Sequence, residues 1–187
     1  MALSRVKEGV DELFAALPKS EKVLHALILI WVLVQIITSN FMHVHGDTLW
    51  GSINLTAKLH AYGGLCLLPI TLVFVYRVIK RRTIADMYPW LSGNLNQIKI
   101  DIKVISTLRL PESQPAGLAA TVEGLGLLAL VLALVTGAIW YLVASNSGTA
   151  PQLLEIHKTS VGLIETYFYA HGGMALLHYI HWWRNKG

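Results

Sequence analysis

GLAATVEGLGLLALVLALVTGAIWYL, residues 117–142, decides the fold. It holds one charged residue, Glu123, and runs apolar for longer than the roughly 20 helical residues needed to cross ~30 Å of hydrocarbon. No water hydrogen-bonds the backbone at that depth, so the segment reads as a transmembrane helix, from about Leu118 to Ala144. Three further stretches read the same way: about Leu24 to Met42, about Leu59 to Ile79, and about Ile156 to Trp182. The last is the weakest, because Lys158, Glu165, His171 and His178 interrupt it. Trp182 and Trp183, followed by Arg184, look like its interfacial anchor. The expected fold is all-α, an integral membrane four-helix bundle.

The composition agrees. The chain has 187 residues, of which 54% are hydrophobic and 14% charged, with a mean hydropathy of +0.52. A soluble domain carries about 25% charge. A disordered chain, a disulfide scaffold with its several cysteines and an ordinary cytosolic domain are excluded. The net charge of +4 sorts by side rather than forming a nucleic-acid surface. Arg5, Lys7, Lys19 and Lys22 precede the first span. Arg77, Lys80, Arg81, Arg82, Lys99, Lys103 and Arg109 follow the second, and Arg184 and Lys186 close the chain. Of the 15 basic residues only Lys58 and Lys158 fall on the other side. The positive-inside rule then puts both termini in the cytoplasm. The first residues show no apolar core with a cleavage site, so no cleaved signal peptide is expected.

Two segments outside the spans read as amphipathic surface helices. In residues 1–17, Val6, Val10, Leu13, Phe14 and Leu17 recur at helical spacing, Pro18 ends the run, and Ser20 can cap the helix that follows. In the inner connection 83–116, Leu91, Leu95, Ile98, Ile102, Ile105 and Leu108 keep a 3–4 spacing. Ile98, Ile100, Ile102 and Val104 also alternate, but no partner strand is in sight, so a helix is expected. Pro111 and Pro115 mark a linker. The chain thus divides into an inner-surface segment, 1–20, and a membrane domain, 21–187. The outer connections are too short for a catalytic domain.

Eight histidines are the second oddity, because ionisable side chains are rare in spans. His157 and His171 are 14 residues apart. Helical geometry puts them about 40° apart on one face and ~21 Å apart along the axis. His60 lies at the depth of His157, and His25 toward that of His171. Two pairs of imidazoles on facing helices would make two bis-histidine sites. Such ligation suits a haem iron that transfers electrons, and neutral ligands avoid leaving charge in lipid. Without a C-x-x-C-H motif the haem would be a non-covalent b type. The plain alternative for one such histidine is a hydrogen bond to a neighbouring helix. By depth, His178 also suits His25, and His43 could approach the outer pair. Gly63, Gly64, Gly124, Gly126, Gly137, Gly172 and Gly173 would let helices approach or leave room for a flat macrocycle.

Glu123 and His178 are candidates for the quinone side, because quinone reduction takes up protons with electrons; Lys22 could assist. The plain readings are a hydrogen bond to Ser or Thr for Glu123 and an interfacial contact for His178. Glu165 is as well read as a paired structural carboxyl as a proton relay. His43 and His45 read as a solvated loop, and His181 has no assigned role. Lys58 and Lys158 could steer an anionic donor, although Asp47 and Glu155 offset them.

KVLHALILIW (22–31), KLHAYGGL (58–65), the span quoted first and EIHKTSVGLIETYFYAHGGMALLHYIHW (155–182) together resemble the bacterial cytochrome b561 family. They also resemble the b-type cytochrome subunits of nickel–iron hydrogenases and formate dehydrogenases. The resemblance implies two haems b in a four-helix bundle of the bacterial inner membrane. By position, the inner haem would use His25 and His171 and the outer haem His60 and His157. It implies an electron relay between the quinone pool, ubiquinone or another quinone, and a periplasmic donor or acceptor. Superoxide is one donor in the family, and a periplasmic redox protein is the other class. The alternatives are a cytochrome b anchor subunit of a dehydrogenase-type complex and a non-redox scaffold or transporter. Two departures stand out: Glu123 occupies the start of span three, where members often carry His, and the inner connection is longer than in compact members.

Overall fold

The computed structural model describes residues 2–15 and 17–185, which form helices joined by turns and loops with no strand among the described residues. The helices are α1 (Ala2–Leu13), α2 (Lys19–Ser39), α3 (Leu55–Arg81), α4 (Ile84–Met87), α5 (Asn96–Ser106), α6 (Leu118–Ser147) and α7 (Pro151–Asn185). Short 3₁₀ turns cover Trp50–Ser52 and Pro89–Ser92. Three helices are long and apolar enough to cross a membrane: Lys19–Ser39, Leu55–Arg81 and Leu118–Asn146. At 35 residues α7 is the longest, but its charges keep it out of this set, so the fourth expected span is not among the three.

The helix ends follow from local chemistry. The first turn of α2 bonds to Pro18, whose carbonyl accepts from the Glu21 and Lys22 amides at 2.9 and 3.0 Å. Ser20 therefore sits inside the turn and is not the cap expected of it. Asn54 caps α3, its side chain accepting from the Ala57 amide at 2.8 Å. Lys80 and Arg81 lie at the negative end of α3. Thr83 and Asp86 form a reciprocal capping box on α4. Pro151 opens α7, where a missing N–H costs nothing.

The inner connection is helical rather than extended, as expected, but it is not one helix. Gly93 takes a left-handed φ of 70° and ends the 3₁₀ turn, so Leu91 and Leu95 lie outside α5. Leu108, at φ 57°, lies beyond its end and is 98% exposed. α5 turns Asp101 inward and leaves Lys99, Ile100, Ile102 and Lys103 exposed.

The chain forms two compact units. One comprises residues Val23–Val78 and Leu127–Glu165. Its core is a seam of small residues on α6. Ala129 and Ala133 pack with Ile164 of α7 and Val32 and Ile36 of α2. Trp140 and Ala144 pack with Ala150 and Leu154, under Val44 and Trp50 of the α2–α3 connection. Small side chains let backbones close up where the hydrophobic effect gives no drive between helices.

The other unit comprises the chain up to Lys22, Ile79–Gly126, and the chain from Thr166 on. Charge pairing organises it. Glu21 is 3% exposed and receives Arg81 in a fork, with Nε 3.0 and 2.9 Å from the two carboxylate oxygens and a terminal nitrogen at 2.8 Å. Asp101 is 2% exposed and accepts the Leu118 amide at 2.7 Å and Gln97 Nε2 at 2.8 Å. A carboxylate from α5 thus caps the positive end of α6. The Tyr88 hydroxyl donates to the Gly124 carbonyl at 2.8 Å, and burial pushes its pKa above the ordinary 10.0. In α1, Arg5 stacks 4.4 Å over Trp183 and donates to its carbonyl at 3.0 Å, while Gly9 fits against Tyr179 and Trp182. Trp183 is thereby tied to α1; Val6, Val10 and Leu13 stay exposed.

Candidate functional site

The first unit brings two of the four proposed iron ligands together. His60 lies in the second turn of α3 and His157 in the second turn of α7. Their ring centres are 6.4 Å apart and the ring planes are nearly perpendicular, at 80°. Two imidazoles on opposite sides of one iron have centres about 6 Å apart, given metal–nitrogen bonds of about 2.0–2.1 Å. Both rings line an apolar cavity of about 110 Å³, with Gln35, Gly64, Gly137 and Trp140 among its walls. Met42 and Val44 of the α2–α3 connection also turn into it. His43, which alternates with them, is exposed and is absent from that lining.

The supporting bonds suit ligation. His157 Nδ1 lies 2.9 Å from the Ala133 carbonyl, and His60 Nδ1 lies 3.3 Å from Thr38 Oγ1. Each ring is engaged through Nδ1, leaving Nε2 as the ligand atom, the usual arrangement when a second partner orients a metal-bound histidine. Gly137 makes room for the ring: a Cβ there would stand 2.9 Å from His157 Cε1. At Gly63 a Cβ would stand 2.8 Å from Gln35 Nε2, which donates to the His60 carbonyl at 3.1 Å. The donor set, its spacing and the apolar walls fit a bis-histidine haem. Among the described residues no group of three or more His, Cys, Asp or Glu could hold a bare metal ion. A haem iron needs only two protein ligands.

His25 and His171 fall in different units. The ring of His25, on α2, is 6.2 Å from that of Phe74. On α7, His171 stacks on Tyr167 one turn earlier, with centres 5.0 Å apart and planes within 16°. Tyr167 in turn lies against Gly126 of α6, and Gly124 receives Met87 and Tyr88. The glycines of α6 therefore admit neighbours as expected, whereas Gly172 and Gly173 face open space.

Glu123 pairs with Arg82 at 3.2 Å. His178 is half-buried on α7. Lys158 is spent on Glu155 at 3.0 Å, which weakens any steering role. The His45 amide donates to Thr48 in a surface turn, and His181 pairs with Asn185 at 2.8 Å. Thr38, Gln35, Arg82 and the Ala133 carbonyl escaped sequence reading. None sits at a telling spacing from the residue it supports.

The family described as prokaryotic cytochrome b561 matches residues 16–186. No curated protein and no solved structure matches the chain.

Proposed function

Because the chain belongs to the prokaryotic cytochrome b561 family, and is thus a membrane b-type cytochrome of electron transfer, we propose that it holds two haems b and relays electrons between quinone and the outer face. In this reading α2, α3, α6 and α7 form a four-helix bundle in a bacterial inner membrane, with both termini cytoplasmic. The distribution of Lys and Arg supports that orientation. His60 and His157 hold the outer haem, and His25 and His171 the inner one. Each haem supplies a one-electron iron couple.

The chain does the rest. Ala133 and Thr38 orient the outer imidazoles, and the apolar wall around Trp140 excludes water. On the inner side, quinone reduction needs protons delivered with the electrons. Glu123, positioned by Arg82, and His178 are the groups proposed to deliver them. The electrons come from a small donor such as superoxide or from a periplasmic redox protein. Lipid, quinone and that donor are the partners.

One observation carries this reading: the facing His60 and His157, each held through Nδ1. The test is a reduced-minus-oxidised spectrum with a pyridine haemochrome assay on the purified chain. Two haems b per chain are expected, with His60→Ala and His171→Ala each losing a different one. A colourless protein overturns the proposal, and one haem per chain removes the two-site form. Reduction of a quinone analogue by the purified chain with superoxide as donor favours the stand-alone enzyme; a tightly bound partner protein favours the subunit form.

A further inference from the structure

We infer that Thr38 is the positioning residue of His60, fixing its tautomer and lowering the redox potential of the outer haem; this rests on the outer-haem reading above. A threonine hydroxyl has one proton and two acceptor lone pairs. Thr38 Oγ1 lies 2.8 Å from the Val34 carbonyl and 3.1 Å from the Gln35 carbonyl of its own helix. Both carbonyls only accept, so the hydroxyl proton is spent on them, the ordinary habit of threonine inside a helix. Toward His60 Nδ1, 3.3 Å away, the oxygen can then only accept. Nδ1 must carry the proton, because the other tautomer sets lone pair against lone pair. In a neutral imidazole that leaves the Nε2 lone pair for iron.

The two outer ligands are therefore supported unequally. His157 donates to a backbone carbonyl at 2.9 Å, which no side-chain substitution removes. His60 donates to a hydroxyl at 3.3 Å, which one substitution does remove. Gln35 lies one turn from Thr38 on the same face of α2 and holds the His60 backbone through its carbonyl. α2 supplies no ligand to this site, yet it sets the orientation of one. An acceptor on Nδ1–H makes the ring a stronger donor, which favours ferric over ferrous iron. Removing that acceptor should raise the potential.

The experiment is a redox titration of the full haem-loaded chain, wild type against Thr38→Val, Thr38→Cys and Thr38→Ser. Valine keeps the shape without an acceptor, cysteine offers a weaker one, and serine restores the hydroxyl. Thr38→Val should shift the ferric–ferrous balance of one haem toward ferrous by about tenfold, about 59 mV for one electron. That haem is the one His60→Ala loses; the other should not move. Thr38→Cys should shift it less, and Thr38→Ser should match the wild type. Loss of the outer haem alone from Thr38→Val, with Thr38→Ser fully loaded, is the same effect carried to affinity. Unchanged potentials in both the valine and cysteine variants overturn the inference, as does a serine variant that shifts like valine. If His60→Ala keeps both haems, the site reading itself has failed, and that result is distinct from either.

Discussion

In the unit of Val23–Val78 and Leu127–Glu165, the polar side chains that face the cavity are neutral: two imidazoles and Gln35. In the unit that includes Ile79–Gly126, three carboxylates each meet a partner. Glu21 meets Arg81, Glu123 meets Arg82, and Asp101 meets a helix end. Both arrangements solve the problem that an unpaired charge cannot be buried cheaply. The first leaves lone pairs for a cofactor, so its polar groups are poised for a ligand. The second closes Glu21 and Asp101 on their partners, so these two fix the shape of the chain. The difference separates residues whose loss should remove colour from residues whose loss should lower stability.

His60→Ala should break that comparison most visibly. One haem should disappear from the haemochrome count while the chain stays folded by circular dichroism. Gly137→Ala should weaken the same haem, because its new Cβ displaces the His157 ring. If either lowers the melting temperature yet spares the haems, the neutral pocket is structural after all. Next in size is Glu21→Ala, which leaves Arg81 without its fork. A buried pair broken in this way costs about 3 kcal/mol, read as a lower melting temperature in detergent with both haems retained. Asp101→Ala should cost about 1–3 kcal/mol, because the Leu118 amide and Gln97 lose a buried acceptor.

Arg82→Gln is a smaller perturbation of stability, since both partners are partly exposed and such pairs contribute about 1 kcal/mol or less. It sharpens the comparison through activity. Quinone-analogue reduction should fall with haem content unchanged; equal rates would remove Glu123 and Arg82 from proton delivery. The smallest effect is on pH. Tyr88 has a folded pKa raised above 10.0, so its contribution is full below about pH 10 and fades as pH climbs through the raised value. Tyr88→Phe should flatten that alkaline slope of the melting temperature.

Much of this was legible in the order of residues. The apolar runs foretold α2, α3 and α6; depth suggested His60 with His157 but left His43 open, and the family resemblance chose between them. The misses have physical causes. The Ser20 cap was a sound local reading, but the Pro18 carbonyl was already there to take the first amides of α2. The 3–4 spacing from Leu91 to Leu108 suggested one continuous helix, yet Gly93 turned left-handed and broke it. Glu21 and Arg81 are 60 residues apart, and no periodicity links such a pair. The Ala133 carbonyl that orients His157 belongs to the backbone, which every residue shares and no side chain announces. Sequence gives away facing histidines more readily than it gives away what holds them.

Trp140 stands in the wall of the cavity that His60 and His157 face, and the ring of Trp50 meets it edge-on at 6.2 Å. A haem in that cavity lies close enough to drain the excited state of both indoles by energy transfer. Under the outer-haem reading, emission from these two indoles should be lower in the haem-loaded chain than in the chain stripped of haem. The pocket carries its own optical gauge, and filling it with haem can be followed in ultraviolet emission alone.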